Sequence, residues 1–280
     1  VQIQELTSIP VIDAHTHMFP PKLFQAVKSW FKAHGWDFIT EGTAEDFLQA
    51  GFDMGFAGFV TMAYAHKPGI ARGLNEFMGD LVKRFPNTVG LAAIHPHDEN
   101  PKDILRHAYE ECGLSGVKIH CHVKRIAPDD PSMFPIYEAV LERDGIINMH
   151  AGKEPAIEAY GMDVRTITGA DRVENVLRRY PDLKLVIPHL GIDEADRFFD
   201  LVEEFPNLYL DTAMVITDVF PVEFDVRRMI NLADRILYGS DYPHIPHPLE
   251  TEVAGMLEMG IGESVLRKIF HENARKLFPF

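Results

Sequence analysis

The 280-residue chain predicts a single-domain α/β fold, a (β/α)8 TIM barrel spanning residues 1–280, and three observations carry that prediction. Eight short apolar, β-branched runs each precede an amphipathic run, at a mean spacing of about 30 residues, the alternation that builds a parallel sheet. Polar residues able to bind metal lie just past the ends of those runs, where barrel active sites are found. After the first run, where an open doubly wound sheet usually carries a glycine-rich phosphate loop, the chain reads Asp13-Ala-His-Thr-His17.

The first strand covers Val11 to His17. Pro20-Pro21 then opens a helix with Leu23, Phe24, Val27, Trp30 and Phe31 on one face, and Gly35 ends it. Thr43-Ala-Glu-Asp46 resembles a capping box before a helix from Phe47 to Met54. Gly55 to Ala63 reads as the second strand, followed by a polar loop with His66 and Lys67. The stripe Leu74, Phe77, Met78, Leu81, Val82 and Phe85 is a helix stopped by Pro86.

Val89 to Ile94 is the third strand, with His95-Pro-His97 directly after it. Ile104, Leu105 and Ala108 mark a helix, Gly116 to His120 the fourth strand, and Ile136, Val140 and Leu141 another helix. Ile146 to His150 is the fifth strand, followed by a long loop to Thr168 and a helix carrying Val173, Val176 and Leu177. The sixth strand is Leu183 to Pro188, its helix holds Phe198, Phe199 and Val202, and the seventh strand is Leu208 to Asp211. Val226, Met229 and Ile230 give the seventh helix and Ile236 to Gly239 the eighth strand. One long helix closes the chain from Val265 through Leu277.

Composition narrows the function classes. A hydrophobic share of 46% against 25% charged residues suffices for a large buried core. The net charge of −15 argues against phosphate-backbone binding, which runs on Lys and Arg, and shows no basic membrane patch. No apolar run approaches the roughly 18 residues of a membrane span. Cys112 and Cys121, with no Cys-x-x-Cys pair, favour a reducing compartment. With no basic-then-apolar leader, the cytoplasm is the expected location.

Asp13, His15 and His17 occupy alternate positions, and alternate strand residues share a face. Two neutral imidazoles so placed suit a borderline ion such as Zn²⁺. His66, His95, His120, His150, His189, Asp211 and Asp241 track later strand ends, which converge on one face of a barrel. Polar residues are common where strands give way to loops. His15, His17, His150, His189 and Asp241 nevertheless weigh toward a site, while for His95 and His120 the two readings balance.

Asp13-Ala-His-Thr-His17, His150 after strand five, Pro188-His-Leu-Gly191 after strand six and Gly239-Ser-Asp-Tyr-Pro243 after strand eight resemble the amidohydrolase superfamily. Glu272 to Phe278 resembles the closing helix of its branch of TIM-barrel metal-dependent hydrolases. That branch also contains aminocarboxymuconate-semialdehyde decarboxylase-like enzymes. The resemblance covers essentially the whole chain. It implies His15, His17, His150 and Asp241 as metal ligands, and Asp241 and His189 as the catalytic groups. Three imidazoles and a carboxylate leave a position open for water, whose pKa a bound ion lowers toward about 7.

Candidate substrate contacts are His66, Lys118, His120 and His244. Two-metal members of the superfamily carry a carboxylated strand-four lysine, but this branch is mostly mononuclear, so Lys118 reads as a plain cation and one metal is expected. Lys67, Arg72, Lys118, Lys124, Arg125, Lys153 and Arg165 fall in the segments at strand ends, a cationic lip suited to a carboxylate-bearing substrate. Hydrophilic loops would account for them equally well. The sequence thus predicts a hydrolase of a small organic substrate that uses one divalent ion, zinc first, and a metal-activated water. The alternative is a metal-dependent non-oxidative decarboxylase of an aromatic or muconate-type acid. The partner is a small molecule, with no nucleic acid and no membrane; a homo-oligomer stays open.

Overall fold

Eight parallel strands follow one another around a single sheet in chain order: β1 (Ile12–His17), β2 (Gly58–Met62), β3 (Thr88–Ala93), β4 (Val117–His120), β5 (Ile146–His150), β6 (Lys184–Ile187), β7 (Leu208–Asp211) and β8 (Ile236–Leu237). The computed structural model describes residues 1–155, 158–217, 219 and 222–280. The ring is completed beyond β8, where the Ala14 N–H donates to the Tyr238 carbonyl (2.8 Å), the Asp241 N–H to that of His15 (2.9 Å) and the His17 N–H to that of Tyr242 (2.7 Å). This is the (β/α)8 barrel that the alternation of runs predicts.

The strands are buried almost throughout, as a parallel sheet covered by helices requires. One apolar cluster gathers Ile12, Ala14, Val60, Met62, Val89 and Leu91 and is sealed by Phe278 from the closing segment. A larger one joins the remaining strands to the helices. Cys112 and Cys121 are buried free thiols. Among the described residues no helix is long and apolar enough to cross a membrane.

Most helices begin and end where their signals predict. Pro21–His34 starts on its proline, and Thr43 and Asp46 form the reciprocal capping box of Ala44–Met54. Four expectations need correction. Gly55, read as the start of a strand, is instead the left-handed cap of that helix (φ 101°), so β2 starts at Gly58. The closing helix is not continuous: Glu263–Arg267 and Asn273–Leu277 flank a π-helical turn, Lys268–Glu272.

The wide π turn turns the Ile269 carbonyl toward the Tyr238 N–H (2.9 Å), which ends β8 two residues before the expected Gly239. The Asn273 amide then donates to the Ala233 and Ile236 carbonyls, both at 2.6 Å. Four helices, Ile3–Leu6, Cys121–Lys124 directly after β4, Arg165–Thr168 in the long loop after β5 and Thr251–Glu258, have no counterpart in the sequence reading.

Candidate metal centre and active-site cavity

β1 places His15 and His17 with their Nε2 atoms 3.1 Å apart, and both lie close to Asp241 Oδ1, at 3.3 and 3.1 Å. Close backbone approach makes this possible: a Cβ on Gly239 would come within 2.7 Å of His15 Cβ. Asp241 itself has φ 70°, a left-handed conformation unusual for a non-glycine residue and typical of functional loops.

The protons of this group can be counted. His15 Nδ1 lies 2.8 Å from Asp211 Oδ2, and His17 Nδ1 lies 3.3 Å from the Met62 carbonyl oxygen. With Asp211 ionised, each Nδ1 faces an acceptor and donates to it in the tautomer that leaves Nε2 bare. Burial keeps both imidazoles neutral, holding their pKa values well below the usual 6.5. In that tautomer two lone pairs and a carboxylate oxygen face one another. A proton on Asp241, whose pKa burial raises, could relieve its own contacts but not the one between His15 and His17.

A divalent cation fits this donor set. Separations of 3.1–3.3 Å match the roughly 3.3 Å edges of a tetrahedron with ligand bonds of about 2.0–2.1 Å. Asp211 behind His15 is the outer partner that fixes a ligand tautomer in metal sites.

Asp211 is a hub. Its Oδ1 accepts the N–H groups of His189 and Ala213, both at 3.1 Å, while Oδ2 takes His15. It thereby ties the end of β7 to β1 and to the loop after β6. In that loop His189 has φ 56° and its Nδ1 donates to the Ala213 carbonyl at 2.7 Å, leaving Nε2 as the acceptor. Burial, followed by the charge on His150, lowers His189 to about 3. Gly191 allows the loop's tight path: at φ 84°, a Cβ there would sit 1.9 Å from the Phe198 ring.

The remaining predicted residues fall into place around this core. His150 lies 4.9 Å from His189, ring to ring, and stacks on His120 at 4.0 Å. Its Nε2 faces Glu154 Oε2 at 3.3 Å, and the tightest grouping of its donor atom is with His120 and His122, not with Asp241. Lys118 is fully buried. Its ammonium donates to Asn148 Oδ1 (2.6 Å) and lies 3.4 Å from His15 Nε2.

His244 stacks on His17 at 4.8 Å. His66 is exposed, further out, and His95 belongs to neither histidine group. Asp13, on the same alternation as the two histidines, turns away to Ser240, accepting its hydroxyl at 2.5 Å and its N–H at 3.1 Å.

A cavity of about 350 Å³ opens over the triad, lined by His17, Asp241, His150, His189 and Glu154 with Trp30, Phe31, Tyr64 and Tyr160 as walls. An outer arm of about 380 Å³ shares Trp30, Phe31, Tyr64, His120 and Tyr160 and reaches His66 and Arg125. Both volumes suit a small organic molecule. The cationic lip is largely dismantled: Arg72 pairs with Glu76 (3.6 Å), Lys153 with Glu194 (3.2 Å) and Arg165 with Asp163 (2.8 Å), while Lys118 and Lys124 are buried.

Asp211, Asn148, Glu154, Tyr64 and Tyr160 were not assigned to the site from sequence. Only Asp211 gave a signal, as a polar residue ending a strand.

The amidohydrolase family model matches residues 12–280. Decarboxylase yanB of Aspergillus niger is 24% identical to this chain, over 96% of this chain and 87% of its own length. The 2-amino-3-carboxymuconate-6-semialdehyde decarboxylase of Dictyostelium discoideum is 25% identical, over 73% of this chain and 65% of its own length. Among solved structures, 5-carboxyvanillate decarboxylase LigW from Sphingomonas paucimobilis shares the fold with a TM-score of 0.68 at 18% identity, covering 97% of this chain and 99% of that one.

Proposed function

The chain belongs to the amidohydrolase family, and from that premise we propose a metal-dependent hydrolase of a small organic substrate. The observation that carries the reading is the mutual approach of three candidate ligand atoms, His15 Nε2, His17 Nε2 and Asp241 Oδ1. In this reading they hold one divalent ion, zinc first among the candidates, with His150 from the same cavity as fourth donor. Such an ion supplies Lewis acidity, polarising a carbonyl and acidifying water.

The chain's own groups move the protons. His189, anchored on Ala213, accepts a hydrogen bond from the attacking water at Nε2 and orients it. Asp241 takes the proton as the water oxygen bonds to the carbonyl carbon, and passes it to the leaving group as that bond breaks. Lys118 brings a fixed positive charge that favours a developing oxyanion.

A second reading, non-oxidative decarboxylation, is favoured by the aromatic walls and by the two decarboxylases among the relatives. Apolar walls favour a charged carboxylate leaving as neutral carbon dioxide. The electron pair of the broken bond stays on the substrate carbon, which must receive one proton.

Lactones, amides and esters assayed beside aromatic and unsaturated acids, with metal content, carbon dioxide and oxygen-18 uptake recorded, separate the two. We expect close to one metal equivalent and solvent oxygen in a hydrolysis product. Carbon dioxide release without solvent oxygen would install the second reading. Metal far below one equivalent after reconstitution would remove both.

A further inference from the structure

β4 ends at His120, and the chain turns at once into the short helix Cys121–Lys124. The turn brings His122 toward β5, its ring 4.9 Å from that of His150 and nearly perpendicular to it (86°). His120 stacks on the same ring at 4.0 Å. One ring nitrogen from each of the three histidines lies within 4.8 Å of the other two. Lys118 takes no part in this group, because its ammonium donates to Asn148.

Two buried acceptors beside these rings lack a donor. His122 is fully buried, and its Nε2 donates to the Gly152 carbonyl at 2.9 Å. That leaves Nδ1 as a lone pair, and it has no hydrogen-bond partner. Glu154 is buried as well. Its Oε2 lies 3.3 Å from His150 Nε2, while its Oε1, 3.8 Å from His122 Nε2, accepts no hydrogen bond. Leaving such acceptors unsatisfied is costly.

The Gly152 carbonyl is held in place, since a Cβ on Gly152 would come within 2.4 Å of the Gly191 carbonyl oxygen. A backbone carbonyl on the far nitrogen is a usual outer partner of a metal-bound imidazole. His120, His150 and Glu154 all line the inner cavity, which gives an ion a way in.

We propose that His120, His122 and His150, with the Glu154 carboxylate, form a second site for a divalent transition-metal ion. Imidazoles with one carboxylate suit zinc, cobalt or copper better than magnesium or calcium. The site goes beyond the reading of the triad and shares only His150 with it. It is the weaker of the two. Its nitrogens spread to 4.8 Å, wider than the roughly 3.3 Å edge of a tetrahedral site, so the rings must rotate to close on an ion. One equivalent therefore fills the triad first, and the second ion enters when metal is in excess.

Equilibrium dialysis of chelator-stripped protein against rising zinc, with elemental analysis, tests this without any substrate. Wild type should load in two steps, to two equivalents. His122→Ala and His120→Ala should each lose the second step and keep the first. Glu154→Gln should move the second step to higher zinc and leave the first in place. His17→Ala should lose the first step and keep the weaker one. Circular dichroism identifies the variants that fold. If His122→Ala does not, His120→Ala and Glu154→Gln read the same site. Wild type that saturates at one equivalent, or a folded His120→Ala or His122→Ala that still takes two, overturns the second site. A failed triad gives a different result: His17→Ala then binds as much zinc as wild type.

Discussion

At the scale of single residues, the triad and its supports make separable predictions. Asp211→Asn keeps the shape behind His15 but removes the carboxylate that holds its Nδ1 proton. Metal affinity should fall about 10–100-fold, as for other outer partners of metal-bound histidines. Competition with a chromogenic chelator measures it, and an unchanged affinity would detach Asp211 from the site. His150→Ala and Asp241→Asn should fail differently. Loss of His150 lowers metal occupancy, whereas Asp241→Asn collapses turnover even in protein that retains metal. Full activity in Asp241→Asn would move the base elsewhere, with His189 next.

At the scale of elements, the site depends on places where regular structure stops. β8 ends early because the π turn takes the Tyr238 N–H, and the freed segment 238–242 swings Asp241 across to β1. Asn273 holds that junction by capping two carbonyls. Asn273→Ala would leave the Ala233 carbonyl its bond from the Ile236 N–H but strand the buried Ile236 acceptor, at about 1–3 kcal/mol for the unsatisfied group. Urea unfolding should show the loss as a lowered midpoint at unchanged slope. A midpoint equal to wild type would mean that water or a backbone shift satisfies that carbonyl, and that the junction does not rest on Asn273.

For the whole molecule, the top of the barrel concentrates buried histidines. In the metal-free protein, burial holds His95 and His122 at about 4 and His189 and His244 at about 3, against the usual 6.5. Between those values and 6.5 the unfolded chain binds more protons, so stability rises with pH across that window and is lost as pH falls. Asp13, raised by burial to about 8, and Asp211, raised by burial to about 7, work in the opposite direction: the folded state holds their protons, and stability falls as pH climbs from 3.8 toward those values. The four histidines outnumber these two acids. The Tm of chelator-treated protein should therefore drop as pH is lowered from 6.5 to 4. Metal should raise the Tm at neutral pH and lose that effect in acid, where protons compete for His15 and His17. A flat profile between pH 4 and 6.5 would contradict the neutral state of these rings.

The barrel was legible in the sequence because its determinants are local. Apolar runs of strand length, amphipathic runs of helix length and the capping pair Thr43 and Asp46 each act within a few residues. Strand-end polarity carried His15, His17, Asp241 and His189 as well, since a barrel must bring those ends to one face. Sequence spacing cannot report contacts between residues far apart in the chain, and those decide the chemistry. Asp13 and Asp211 are both acids at strand positions, yet one turns to Ser240 and the other fixes the tautomer of His15, 196 residues away. Lys124 and Arg165 read alike as cations beyond strand ends, yet Asp163 neutralises Arg165 on the surface while the Lys124 ammonium is buried without a hydrogen-bond partner. Local periodicity sets which elements form; only packing decides which charges meet.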